Sequence, residues 1–178
     1  GSDKYDVGHL FHHSAQANGN AGCIGCICDD KNKGRAFSAG NIKENMDMDS
    51  FDIDFFCHEL GHQMGANHTH NLQDEGSGVQ IEPGSGSTIM GYAGITRAND
   101  VQSRTDPYFN HISVKQIIAH ISAQSCPKTE TLTNTPPQID ELKKYIIPRG
   151  TAYVLKGSAT DPEGDELYYT WEQEDDSG

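Results

Sequence analysis

The window His58-Glu59-Leu60-Gly61-His62-Gln63-Met64-Gly65-Ala66-Asn67-His68 constrains this chain more than any other stretch. It reads H-E-x-x-H-x-x-G-x-x-H. On a helix, residues four apart lie one turn above each other, so His58 and His62 leave the same face. Glu59 projects beside them. Gly65 is suited to the left-handed conformation that ends a helix, so the chain turns and brings His68 back as a third imidazole. Three imidazole nitrogens leave the fourth position of a tetrahedral zinc ion open to water, which separates a catalytic site from a closed structural one. The spacing therefore predicts one zinc on His58, His62 and His68, with Glu59 as general base towards the water. The alternative, a surface helix that happens to carry histidines, leaves the ordered spacing unexplained.

The segment Ser87-Thr88-Ile89-Met90-Gly91-Tyr92-Ala93-Gly94 supplies a downstream methionine flanked by glycine, as a tight turn requires. A soft, apolar thioether forms a floor under imidazoles without competing for the metal. The two motifs together resemble the metzincin zinc peptidases and their Met-turn. The words Tyr5-Asp6-Val7-Gly8-His9-Leu10-Phe11, Phe51-Asp52-Ile53-Asp54, Glu82-Pro83-Gly84-Ser85-Gly86-Ser87-Thr88-Ile89-Met90 and the stretch 103–109 are similar to bacterial reprolysin-like (adamalysin-type) secreted metallopeptidases. The resemblance runs from Lys4 to about Cys126. It implies an α+β fold: a twisted sheet, an active-site helix, the Met-turn and a C-terminal helix. It also implies that leading elements of the family's sheet are missing from this sequence. Thr69 departs from the aspartate that adamalysins carry after the third histidine. Tyr92 stands where astacins and serralysins carry a tyrosine that approaches zinc or the oxyanion; read as a residue alone, it is a packed tyrosine with a satisfied hydroxyl.

Twenty-six acidic against thirteen basic residues give a formal charge of -13, which disfavours nucleic acid and anionic membranes as partners. No apolar run is long enough to span a membrane. The chain opens Gly1-Ser2 without a leader, which carries no weight about export. Five cysteines suit an oxidising compartment, and the family resemblance implies a secreted, bacterial protein. Cys23 and Cys26 form a C-x-x-C read as a local disulfide rather than a metal knuckle, because no second C-x-x-C follows. Cys57 reads as a buried thiol. The resemblance implies a Cys28–Cys126 bridge.

Along the chain, residues 4–11 are expected to form a strand and 14–22 a glycine- and asparagine-rich loop. Residues 25–28 and 34–39 read as two strands around an Asp29–Lys33 turn. In metzincins the strand at this place edges the cleft, which implies a protein or peptide substrate bound as an added strand. Asp52 is the expected N-cap of the active-site helix, with Ile53, Phe56 and Leu60 as its buried stripe. Residues 67–83 read as an exposed loop. Ser113 and Gln116 form an expected capping box for a helix burying Val114, Ile117, Ile118 and Ile121. The expected organisation is a peptidase domain over 1–127, a Thr/Pro-rich linker over 128–136 and a β module over 137–178. Short runs at 145–147, 151–156 and 167–171 resemble an incomplete PKD-like or immunoglobulin-like sandwich.

The expected function is a secreted zinc metalloendopeptidase that hydrolyses peptide bonds with a zinc-activated water and Glu59 as base. The alternative is a proteolytically inactive fragment serving binding or adhesion. Asp47, Asp49, Asp52 and Asp54 have the density of a calcium loop but lack its glycine and terminal glutamate, so a solvated face is favoured over Ca2+. Asp161 and Asp165 read as turn formers first and calcium ligands second. His70 reads as solvated or loop-bonded, and His9, His12 and His13 as surface histidines.

Overall fold

The computed structural model describes residues 4–40 and 50–175. Asp47 and Asp49, half of the acidic run considered for calcium, lie outside the described residues. The chain divides into two compact units, one running to Pro127 and resuming from Glu172, the other Lys128–Trp171.

The first unit carries a three-stranded sheet of β1 (His9–His13), β2 (Asn18–Asn20) and β3 (Ala36–Gly40), in the order β1-β3-β2. β1 runs parallel to β3, with His9 opposite Ala36. β2 runs antiparallel to β3, with Gly19 opposite Ser38. Two strand expectations are corrected. The first strand begins only at His9, and residues 25–28 are a turn rather than a strand. Among the described residues the edge strand that lines the cleft is instead Asn18-Gly19-Asn20, inside the segment expected to be loop. Its three residues lack any apolar alternation, and pairing with the buried β3 is what extends them.

Beneath the sheet lies helix α1, a π-helical stretch Phe51–Cys57 that continues as regular α-helix over His58–Gln63. Asp52 is not its N-cap; it sits with Asp54 in the first turn, behind Ser50. Phe51 is buried, and Phe11 packs edge-on against Phe51 and Phe56. His9 is no surface histidine. Its Nδ1–H donates to Gln63 Oε1 (2.8 Å) and its Nε2 accepts from Ser38 Oγ (2.9 Å), tying the sheet to α1.

The loop 23–28 closes the other end of α1. The N–H groups of Gly25 and Ile27 donate to the carbonyls of His62 and Gln63, at 2.8 and 3.1 Å, satisfying acceptors that a helix end leaves open. Cys23 pairs with Cys26 and Cys28 with Cys126, and Cys57 is a free, half-buried thiol. Helix α2 (His111–Ser122) is capped by Asn110, whose side chain accepts from the Ile112 N–H at 3.1 Å. Ser113 is thus inside the helix and buried, and no capping box forms. Gln116 is turned to the loop before His68 and accepts from the Asn67 N–H at 2.9 Å. Of the expected apolar stripe, Ile117 packs on the Ala66–Ile89–Met90 core, while Val114 and Ile118 are exposed.

The second unit contains one hairpin-like pair, β4 (Gln138–Ile139) with β5 (Ala159–Thr160), antiparallel. None of the three expected β runs is a strand, and Ile146, Val154 and Tyr168 are exposed. A strand needs a paired neighbour and a covered face, and these runs have neither here, so a sandwich is not formed among the described residues.

Cys28–Cys126 closes a separation of 98 residues, joining the loop under α1 to the chain just past α2. Reducing it should destabilise the first unit by about 2–5 kcal/mol, read as a lowered denaturation midpoint in reductant. An unchanged midpoint with both thiols alkylated would show that packing alone holds this corner.

Candidate metal centre

Helix periodicity puts His58 and His62 on one face of α1, and Gly65, at φ 106°, turns the chain out of the helix. A Cβ at Gly65 would also stand 2.7 Å from the His120 Cβ, so both backbone conformation and space require glycine there. After that turn His68 comes back: the ligand atoms of His58, His62 and His68 all lie within 4.8 Å of one another. The ring centroids are 4.8 Å apart for His58–His62, 5.2 Å for His58–His68 and 4.5 Å for His62–His68.

Each imidazole has its Nδ1 held by an acceptor. His58 Nδ1–H donates to the Ile89 carbonyl (2.6 Å), His62 Nδ1–H to the Ala66 carbonyl (2.8 Å), and His68 Nδ1–H to both oxygens of Glu75 (3.1 and 3.0 Å). Such partners fix the tautomer and leave the Nε2 lone pairs free. His62 Nε2 and His68 Nε2 then face each other at 3.0 Å. Two lone pairs at that separation repel unless a cation or proton lies between them. The donor set therefore fits a zinc ion: three neutral nitrogens, and an open cleft side for the remaining position. Burial holds His58 down at about 3 and His62 at about 4, with the neighbouring imidazoles adding to the effect. Both are thus in the neutral, ligating form.

Glu59 lies against the edge strand β2. A Cβ at Gly19 would meet Glu59 Oε1 at 2.4 Å, so only glycine lets this edge approach the carboxylate. Burial pushes Glu59 up to about 7, partly offset by hydrogen bonding from the Ala21 backbone. Met90 is fully buried under the imidazoles, and a Cβ at Gly61 would be 2.6 Å from its sulfur. The Tyr92 hydroxyl is 2.9 Å from His68 Nε2, and burial raises its pKa to about 12, keeping it protonated. The residue-alone expectation of a packed tyrosine with a satisfied hydroxyl agrees with this contact to the third histidine. A cleft of about 700 Å³ includes Asn18, Gly19, Ile24, Glu59, Tyr92 and Ile95 in its walls.

The loop expected to be exposed over 67–83 is buried at Thr69, His70, Val79, Gln80, Ile81 and Glu82. Glu82 explains why. Its carboxylate accepts from the Thr69 hydroxyl, the Ser87 N–H (2.9 Å), the Thr88 N–H (3.1 Å) and the Thr88 hydroxyl (2.6 Å). It thus fastens the strand after His68 to the turn before Met90. A glutamate followed by glycines and hydroxyl residues is the signal for such a knot, but its function is visible only once the loop is folded back. His70, expected to be solvated or loop-bonded, is buried at 1% exposure, with burial lowering its pKa. Glu75, in the same loop, was not singled out by the sequence at all.

Replacing Glu82 with alanine leaves several buried donors unpaired, each costing about 1–3 kcal/mol. Urea denaturation should show a loss of at least about 2 kcal/mol, and a loss within experimental error would remove Glu82 from this role. The metal-free protein should also be acid-sensitive. The folded values for His58 and His62 lie below the reference 6.5, so the unfolded chain binds more protons between those limits. Stability present above pH 6.5 is lost as pH falls towards 4 and 3. A thermal midpoint of chelated protein that stays level between about pH 7 and pH 5 would contradict the burial of these rings.

The sequence model of the metallopeptidase family M12B, reprolysin-like, matches residues 1–135. No curated protein and no solved structure matches the chain. The match covers most of the sequence and all of the histidine centre, and the chain belongs to the reprolysin-like M12B metallopeptidases.

Proposed function

We propose that this chain is a secreted zinc endopeptidase with His58, His62 and His68 as metal ligands and Glu59 as general base. The observation that carries the reading is the convergence of three Nε2 atoms, each with its Nδ1 tied back, beside a half-buried carboxylate in an open cleft. Zinc, when bound, supplies Lewis acidity to the scissile carbonyl and lowers the pKa of water. Glu59 takes the proton from that water and passes it to the departing amine nitrogen, a transfer suited to a group poised near neutrality. Tyr92, whose O–H bonds His68 Nε2, would be released from that nitrogen once the lone pair is engaged by zinc, and would then offer its O–H to the developing oxyanion.

The substrate is an extended peptide. Among the described residues β2 is paired only with β3, and Asn18-Gly19-Asn20 line the cleft. Backbone hydrogen bonds to Asn18-Gly19-Asn20 hold such a peptide in register, and the walls at Ile24 and Ile95 receive apolar side chains. Two disulfides support an oxidising compartment. Among the described residues no helix is long and apolar enough to cross a membrane. The intact Glu59 and ligand trio favour catalysis over a role confined to adhesion, and no observation on the Lys128–Trp171 unit favours binding by it.

Glu59→Gln tests the reading. It should keep one zinc by metal analysis while cleavage of unfolded casein drops by at least about 10²-fold. Zinc-loaded Glu59→Gln protein that cleaves at the unsubstituted rate would overturn the role of Glu59, and a wild-type protein indifferent to chelation would overturn the metal.

A further inference from the structure

Among the described residues of this loop, His70 is left without a chemical reason to be where it is. It is buried, and neither ring nitrogen has a hydrogen-bond partner among the described residues. A buried polar group left unpaired carries a desolvation cost, so such groups in folded proteins call for a partner. The Glu75 carboxylate lies 3.6 Å from His70 Nε2, too far for a hydrogen bond. The His70 ring stacks on His68, with centroids 5.0 Å apart, and lies 4.4 Å from the Tyr92 ring. One ligand atom each from His68, His70 and Glu75 falls within 4.8 Å of the others.

We propose that His68, His70 and Glu75 form a second metal site, for a divalent transition-metal ion of the Zn2+ type, beside the His58–His62–His68 centre. Imidazole with carboxylate suits zinc, nickel and copper, whereas calcium and magnesium require an oxygen-rich shell. An ion between His70 Nε2 and Glu75 satisfies the orphaned nitrogen at the spacing the structure already has. Glu75 is exposed, with 24% of its side chain open to solvent, which gives the ion a path. The third ligand is the Nδ1 edge of His68, which gives up its proton to solvent as the ion binds. Because Glu75 now holds that edge, an ion there breaks the Nδ1–H bond that aims His68 Nε2 at the first centre. Filling the second site therefore slows turnover, and metal excess inhibits the peptidase.

The inhibition rests on the proposed peptidase function, but occupancy does not, and the experiment separates them. Protein freed of metal by chelation is dialysed against rising Zn2+, and bound zinc per chain is counted by elemental mass spectrometry, with casein cleavage followed alongside. The expected result is a tight first class, then a weaker second class whose filling tracks the loss of activity. His70→Phe and His70→Gln should each keep the tight class, which also reports folding, and weaken the second about 10–100-fold. A single class in the wild-type protein, or a second class unchanged in whichever variant keeps the tight one, overturns the second site. Absence of the tight class in wild type speaks against the peptidase centre instead; a zinc class sensitive to His70 would still support this one.

Discussion

The structure turns on the three Nδ1–H bonds that aim the histidines. Their acceptors come from three separate places: the Ile89 carbonyl before Met90, the Ala66 carbonyl after the Gly65 turn, and the Glu75 carboxylate in the following loop. Each ring thus reports the position of a different chain segment. If any segment moves, its Nε2 lone pair swings away from the common point, and the donor set ceases to fit one ion. The site is a test of the whole first unit's folding rather than a property of one helix.

The same segments are fastened to each other away from the rings. Glu82 gathers Thr69, Ser87 and Thr88, while the Thr69 N–H donates to the Met90 carbonyl at 3.1 Å. Gln116 of α2 holds the Asn67 N–H, and the loop 23–28 takes up the last carbonyls of α1. A short α1 end, a loop and a turn have little apolar area with which to fix one another. Buried polar bonds do this where packing is thin, because each donor is costly to leave unpaired. Directional bonds also specify orientation, which apolar contact does not, and orientation is what a metal centre needs.

What could be read from the sequence was what depends on near neighbours. The helical spacing of His58 and His62 and the glycine turn at 65 follow from local geometry, whereas the methionine under the rings was legible only through the family resemblance. The strand Asn18–Asn20 was not legible, because nothing in Asn-Gly-Asn announces extension; β3 imposes it from outside. Asn110 and Ser113 are both good caps, and the choice between them was settled by Ser113 being buried against the unit. His70 and Glu82 look like solvent residues in a polar loop until that loop folds back through the pairing of His70 with Glu82. The apolar runs beyond Lys128 have sheet-like composition, yet composition supplies no partner strand.

Gly19 links recognition to chemistry in a way neither motif announces. The edge that a peptide would extend is also the surface against which Glu59 is pressed, and the missing Cβ sets how closely they meet. A substrate strand pairing there shields the carboxylate further from water, which by itself favours its protonated form. A dication at the converging Nε2 atoms acts in the opposite sense and favours the ionised carboxylate. Burial alone has already brought Glu59 to about 7, where modest changes on either side alter its charge. In the proposed reading, therefore, the paired strand raises the affinity of Glu59 for the proton it must take, while the cation keeps it ionised to act as base. Widening the gap at position 19 would relax the first influence and leave the second.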